Sequence, residues 1–121
     1  MSRSDLSALT SALVDSATGG DPRALDEILR TLQRPLFGLA LRMLGDRDDA
    51  AEATQECLLR IVTRLSTFRS QSKPSTWMWS VAVRSILDFR RGVARRARLT
   101  FDGFAEDLAD GLESGSSARA E

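Results

Sequence analysis

Residues 75–96 read STWMWSVAVRSILDFRRGVARR, and the spacing of their apolar side chains predicts a long amphipathic helix. Successive residues of an α-helix are rotated by about 100°, so Trp77 and Trp79 cannot lie on the same face. Trp79 belongs to the apolar stripe, and we expect it in the core. The other members of that stripe are Ala82, Val83, Ile86, Phe89 and Val93. Trp77 falls on the opposite side of the helix, in line with Arg84, Asp88, Arg91 and Arg95.

Three further helices are predicted upstream by their capping residues and apolar spacing. Their N-caps are Ser4, Asp21 and Asp46. Glycines at positions 19–20 and 45 end the first two helices, and Pro35 should kink the second. A polar loop at residues 66–75 precedes the fourth helix. The chain is therefore expected to be all-α, a compact bundle of three main helices plus a short N-terminal helix.

The charges are unevenly distributed along the 121 residues, although the formal net charge is zero. Residues 84–98 contain six arginines and one aspartate, whereas residues 102–113 contain five acidic residues and no basic one. From about Leu99 the helical signal weakens. We therefore expect one helical domain at residues 1–98, followed by an acidic linker or flexible tail at residues 99–121.

The residue types argue against several classes of function. Cys57 is the only cysteine and there is no histidine, which excludes an internal disulfide and leaves too few ligands for a conventional zinc site. The sequence has no histidine base and no glycine-rich phosphate loop, so we expect no enzyme, no cofactor and no metal. The apolar runs are too short for a membrane span, and Asp5 and Asp15 interrupt any signal peptide. We expect a cytoplasmic protein with a reduced, buried cysteine.

Two surfaces are candidates for binding. Trp77 and the arginines in line with it could stack on an unpaired base and pair with phosphates, or Trp77 could pack under the preceding loop beside an ordinary solvated face. On the third helix Leu59 lies opposite the apolar side, among Glu52, Gln55 and Glu56. It could anchor a protein interface with a polar rim, or it could be a stray surface leucine. Periodicity does not choose between these alternatives.

Residues 13–91 resemble conserved region two of the extracytoplasmic-function sigma factors of bacterial RNA polymerase. The matching segments occur in family order: GDPRAL, LGDRDDAAEATQECLLR, LSTFR and TWMW, followed by Asp88 and Arg91. The resemblance implies that the third helix binds the coiled-coil clamp helices of the largest subunit of core RNA polymerase. The residues implied in that contact are Glu52, Gln55, Glu56 and Leu59.

The resemblance also implies that the fourth helix and the loop before it recognise the promoter minus-ten element and hold its non-template strand. The DNA-binding residues implied are Arg69, Lys73, Thr76, Trp77, Arg84, Asp88, Arg91 and Arg95. Three positions depart from the family's usual residues. The family often has an aromatic residue where this chain has Pro74, usually has a basic residue where it has Ser80, and usually has an asparagine where it has Arg84. We expect these departures to change the promoter sequence that is preferred.

Family members usually continue into a second domain that binds the minus-thirty-five element, and no such segment follows here. We expect either a fragment cut in the linker or a stand-alone form, with weak promoter binding. The acidic stretch after residue 100 would be the start of that linker. An alternative is that it folds back and masks the arginines from DNA. A further alternative is a regulatory module whose main partner is an anti-sigma factor or another regulatory protein, without DNA melting; a plain helical adaptor is the third possibility.

Overall fold

The computed structural model describes the backbone of residues 3–117 and the side chains of residues 6–110. In chain order it contains a 3₁₀ helix at Arg3–Ala8, α1 at Ser11–Thr18, α2 at Pro22–Leu44, α3 at Arg47–Arg64, a 3₁₀ turn at Leu65–Thr67 and α4 at Pro74–Ser117. The backbone of residues 3–117 includes no strand, and the all-α prediction is confirmed. The chain divides into two compact units, Met1–Phe89 and Arg90–Glu121, the second formed by the later part of α4.

The N-terminal segment differs from the prediction that Ser4 caps its helix. Residues Arg3–Ala8 form a 3₁₀ helix, and the α-helix begins only after Thr10. The Leu13 backbone N–H donates to Thr10 Oγ1 at 3.2 Å, which satisfies one of the unpaired donors of the first turn. Leu6 and Leu9 are buried ahead of α1. The leucine spacing was a correct sign of burial, but it spans two elements instead of one helix.

The caps of α2 and α3 are as predicted. Asp21 Oδ1 accepts a hydrogen bond from the Arg23 backbone N–H at 3.0 Å, and Asp46 Oδ2 accepts one from the Asp49 N–H at 2.8 Å. Gly45 ends α2 in the left-handed conformation, with φ of 74°, which side chains other than glycine adopt only with strain. Helix α2 continues through Pro35 to Leu44.

The core of the first unit is formed by one stripe from each long helix. The stripes recur every three or four residues, as expected for helices that bury one face. Their most enclosed members are Ile28, Leu32 and Leu36 of α2, Cys57 and Ile61 of α3, and Met78, Ala82 and Ile86 of α4. Packing of these stripes brings the loop before α4, the outer side of α3 and the first turns of α4 to the surface of the unit.

The prediction that Trp79 lies in the core is wrong. Met78 is fully buried, whereas Trp79 is only half-buried, and the buried positions of α4 are 74, 78, 82, 85, 86 and 89. Of the predicted stripe, Ala82, Ile86 and Phe89 are buried, whereas Val83 and Val93 are half-buried like Trp79. Because Trp77, Met78 and Trp79 are consecutive, the apolar pattern alone is compatible with either Met78 or Trp79 in the core.

The helix does not end where its signal weakens. Helix α4 continues beyond Leu99 and is helical through Ser117. Alanine, arginine and leucine, which favour helices intrinsically, recur through residues 93–99 even though no core stripe continues there. The last residues of the predicted tail, 118–121, lie outside the described part of the chain.

Candidate functional site

The outer surface of α3 has the composition predicted for a protein interface. Leu59 is 64% exposed, and Glu52, Gln55 and Glu56 are exposed around it at helical spacing. The opposite side of the same helix packs into the core through Ala53, Cys57, Leu58 and Ile61, among others. The helix therefore holds Leu59 away from the core, in a position where a partner could bury it. Together Glu52, Gln55, Glu56 and Leu59 form the Leu59 surface.

A groove between α2 and α3 adjoins the Leu59 surface at Gln55. It has a volume of about 470 Å³. Its lining residues are Gln33, Arg34, Phe37, Gly38, Ala51, Thr54 and Gln55. The Phe37 ring also receives the Arg47 guanidinium, whose Cζ lies 5.7 Å from the ring centroid. This contribution of α2 is not predicted by the sequence; in the structure Phe37 is half-buried beside the core-facing residues of that helix.

Trp77 packs against the loop that precedes α4. Its indole lies 5.5 Å from the Phe68 ring, centroid to centroid, with the two planes tilted by 50°. Trp77 is half-buried, and its backbone N–H donates to the Lys73 carbonyl at 3.1 Å, as in the first turn of a helix. The contact under the loop, one of the two alternatives for Trp77, is therefore present. It also leaves part of the indole accessible at the loop–helix junction, next to the exposed Lys73.

The loop is held by short-range contacts. Arg69 Nη1 donates to the Ser66 carbonyl at 3.1 Å, which ties this exposed side chain to the turn before the loop. Ser70 has φ of 60°, a left-handed conformation that is uncommon outside glycine. The loop therefore has a defined bend, and it presents Arg69 and Lys73 within a few residues of the Phe68–Trp77 pair.

Thr76 and Arg84 line a second groove, together with the half-buried Trp79. This groove has a volume of about 590 Å³ and lies between the N-terminal 3₁₀ helix and α4. Its other lining residues are Leu6, Ser75, Ser80, Val83 and Leu87. Thr76 and Arg84 border this groove, whereas Trp77 faces the loop.

Asp88 has a partner within the fold that the sequence did not reveal. Its Oδ2 lies 2.9 Å from Arg60 Nη1, an ion pair between α4 and α3. The two side chains are 37% and 31% exposed, respectively, so the pair is partly shielded from water. Arg60 was not singled out from the sequence, since residues 28 positions apart give no periodic signal. In the second unit, Arg91 and Arg95 are both exposed.

Cys57 has the environment of a core residue. Burial raises the pKa of the thiol above its usual value of 9.0, an effect that the Ser85 hydroxyl and Arg60 partly oppose. The thiol also contacts the Ala82 carbonyl at 3.6 Å. A thiol held neutral in this way is a poor nucleophile and a poor metal ligand, and its burial agrees with the prediction of a structural cysteine.

None of the helices described combines the length and the apolar character needed to cross a bilayer. Within the same residues, no group of three or more histidine, cysteine, aspartate or glutamate side chains is placed to hold a metal ion.

Comparisons with known proteins identify the family to which the chain is similar. The family model described as Sigma-70 region 2 matches residues 28–96, more than half of the chain. The chain is 33% identical over 108 residues to the ECF RNA polymerase sigma factor SigC of Mycobacterium tuberculosis, covering 89% of this chain and 57% of that protein. It is 31% identical over 71 residues to the RNA polymerase sigma-H factor of Pseudomonas aeruginosa, covering 59% and 37% of the two chains.

A third relative is the ECF RNA polymerase sigma-E factor of Haemophilus influenzae, which is 28% identical over 85 residues, 70% of this chain and 44% of that protein. The chain thus spans about half the length of the curated relatives it matches, or less. No solved structure matches it significantly. The matched residues include α3, the loop and the first half of α4, up to residue 96, which carry the surfaces described above. The chain belongs to the Sigma-70 region 2 family, as the region-two domain of an extracytoplasmic-function sigma factor.

Proposed function

We propose that this chain is the part of an alternative sigma factor that binds core RNA polymerase and recognises and opens the promoter minus-ten element to initiate transcription. Its family and the sigma-factor names of its relatives support the role in transcription. The residues described above support a division of that role between two surfaces. It is a binding function, which needs no catalytic group, and its place of action is the cytoplasm, where promoter DNA lies.

The exposed Leu59 is the observation that carries the polymerase-binding half of the proposal. A leucine exposed by 64% on a rigid, core-anchored helix gains free energy when a partner covers it, about 1.5–3 kcal/mol for full burial. The acids and the amide around it supply a polar rim of the kind found at specific interfaces. We assign the Leu59 surface, extended by the groove at Gln55, to the clamp helices of the largest polymerase subunit.

The loop–helix junction supports the DNA-binding half. A base can be held only after it leaves the stack, which costs a few kcal/mol, and stacking on an aromatic side chain returns about 1–3 kcal/mol per base. The partly accessible Trp77, fixed by Phe68, offers such a stacking surface. We assign Arg69, Lys73, Thr76 and Arg84 to the DNA backbone and base edges near it. We assign Arg91 and Arg95 of the second unit to phosphate contacts.

Asp88 has a different place in this scheme. Its ion pair with Arg60 supports a positioning role, in which α4 is fixed against α3. A direct contact of Asp88 with DNA would require the carboxylate to share its charge with Arg60. We therefore propose that Asp88 orients the DNA-binding helix and that any contact with a base is secondary.

The polymerase-binding half is tested by affinity for a fragment that carries the clamp helices. We expect Kd in the micromolar range, about −8 kcal/mol, and a loss of at least tenfold for Leu59→Asp. Leu99→Asp is the matched control, because Leu99 is 63% exposed but lies in the second unit, and it should bind as the parent does. Gln55→Ala should weaken binding to a smaller degree.

Failure of the intact, folded chain to bind would contradict this half of the proposal. It would favour the alternative in which the domain is a regulatory module for an anti-sigma factor or another protein. Equal losses for Leu59→Asp and Leu99→Asp would show that the added charge, and not the Leu59 surface, weakens the complex.

A further inference from the structure

The second unit carries a stripe of large apolar side chains that no described residue covers. Phe101 is 68% exposed, Phe104 63% and Leu108 54%. Their spacing of three and four residues places them on one side of α4. Ala97 continues the stripe one turn earlier and Val93 lies near its edge a further turn back. The stripe has the spacing of a two-helix contact. Leu99 does not belong to the stripe, because it lies on the other side of the helix.

The charges of the same segment are separated into two blocks of nearly equal length. Residues 90–98 contain five arginines and no acidic residue, and residues 102–110 contain four acidic residues and no basic one. All nine charged side chains are exposed. A helix that ends in a solvated linker has no need of this separation, since mixed charges at a spacing of four residues would stabilise it better.

We propose that residues 90–110 form an antiparallel helix pair with the same segment of a second copy of this chain. A twofold axis near residue 101 places each basic block beside the acidic block of the other copy. A parallel pair would instead place like charges side by side. The stripe is compatible with the same axis, because its residues pair around Phe101: Ala97 faces Phe104 of the second copy, and Val93 faces its Leu108.

The small residues of one half of the stripe thus face the large residues of the other half. No two bulky side chains therefore meet at the ends of the contact, and the two helices can pack closely there. Arg96 and Asp107 lie on the same edge of the stripe, one in each block. In the antiparallel pair each Arg96 is near Asp107 of the other copy, so the dimer contains this ion pair twice.

The proposal concerns the second unit alone and does not depend on the proposed function. Residues 90–110 give a contact of about 30 Å in length, which is short for a helix pair. We therefore expect an equilibrium between monomer and dimer in the micromolar range. The opposite-charge blocks predict that high salt weakens the dimer.

Sedimentation equilibrium of the full chain over a concentration series tests the proposal. Phe104→Ser should weaken dimerisation by roughly a hundredfold, because two phenyl rings lose their burial at once. Leu99→Ser is the matched control, since Leu99 has the same exposure as Phe104 but lies on the other side of the helix, and it should leave the dimer unchanged.

A charge exchange tests the orientation. Arg96→Asp alone and Asp107→Arg alone should each weaken the dimer, because each creates two like-charge contacts. The double variant should recover the affinity of the parent. A chain that stays monomeric at every concentration, equal effects of Phe104→Ser and Leu99→Ser, or a double variant as weak as the single ones would each overturn the proposal.

Discussion

At the scale of single residues, Cys57 links burial to a dependence of stability on pH. Burial raises its pKa above 9.0, so the folded state favours the neutral thiol more strongly than the unfolded state does. The stabilisation is complete below the unfolded pKa and is lost as pH rises through the folded pKa, because only the unfolded chain then gains from ionisation.

This predicts that the cost of Cys57→Ala falls at alkaline pH. Near neutrality we expect the variant to lose about 1–2 kcal/mol of unfolding free energy through lost packing. Above pH of about 9 the parent should lose stability through this thiol and the variant should not, so the difference narrows. Urea unfolding of both chains at about pH 8 and about pH 10 measures it. A difference that is constant with pH would contradict the role of burial.

Trp77 is the residue on which the DNA-binding half of the proposed function depends most directly. We expect Trp77→Ala to weaken binding of a single-stranded minus-ten fragment by about 1–3 kcal/mol, which is the stacking contribution of one base. The measurement is a fluorescence-anisotropy titration at fixed salt, because phosphate contacts make affinities salt-dependent.

Two further variants separate stacking from stability. Trp77→Phe keeps an aromatic ring against Phe68 and should retain most of the binding. Trp79→Ala removes the other tryptophan, which lines the groove beside the 3₁₀ helix, and should affect single-strand binding less than Trp77→Ala. If both alanine variants lose the same affinity, the assignment of stacking to Trp77 is wrong.

At the scale of elements, the Arg60–Asp88 pair is an ion pair that joins α3 to α4. Because its side chains are about one-third exposed, we expect a coupling free energy near the upper end of the range for surface pairs, about 1 kcal/mol. A double-mutant cycle with Arg60→Ala and Asp88→Ala measures it. The pair Arg30–Asp26, at 2.7 Å but 79% and 61% exposed, is an internal control and should give about 0.3 kcal/mol. Equal couplings would show that the shielding has no effect.

The same elements show which features the sequence could predict. The prediction that Asp21 and Asp46 cap their helices was correct, because a cap depends on residues two or three positions apart. The prediction that Leu59 lies on the outer side of α3 was correct, because that helix has one clear apolar side. The prediction that Trp79 lies in the core was wrong, and Met78 is buried instead. Which of the two is buried depends on the surfaces of the neighbouring helices, and the pattern within α4 contains no information about those surfaces.

For the same reason, the periodic spacing of residues within one helix could not predict contacts between residues that are distant in the sequence. Phe68 and Trp77 are separated by a polar loop, and Arg60 and Asp88 lie on different helices, so neither pair repeats at a helical spacing. The spacing does not predict the continuation of α4 past Leu99, because the stripe of buried residues ends at Phe89 whereas the helix continues.

At the scale of the whole molecule, the buried apolar residues among those described all lie between Leu6 and Phe89. The first unit therefore contains its own core, and the predicted boundary near residue 98 can be tested by truncation. We expect a chain that ends at Arg98 to fold with an unfolding free energy within about 0.5 kcal/mol of the full chain. The new end of α4 would carry Arg95, Arg96 and Arg98, whose positive charges suit a helix C-terminus.

Urea unfolding followed by tryptophan fluorescence measures this, because both tryptophans belong to the first unit. A chain that ends at Arg84 is the control: it lacks Ile86 and Phe89, which are buried, and should not fold. The same truncation at Arg98 should abolish dimerisation, because it removes Phe101, Phe104 and Leu108. A loss of stability above about 2 kcal/mol would mean that residues 99–121 contribute to the fold itself, and the linker assignment would then be wrong.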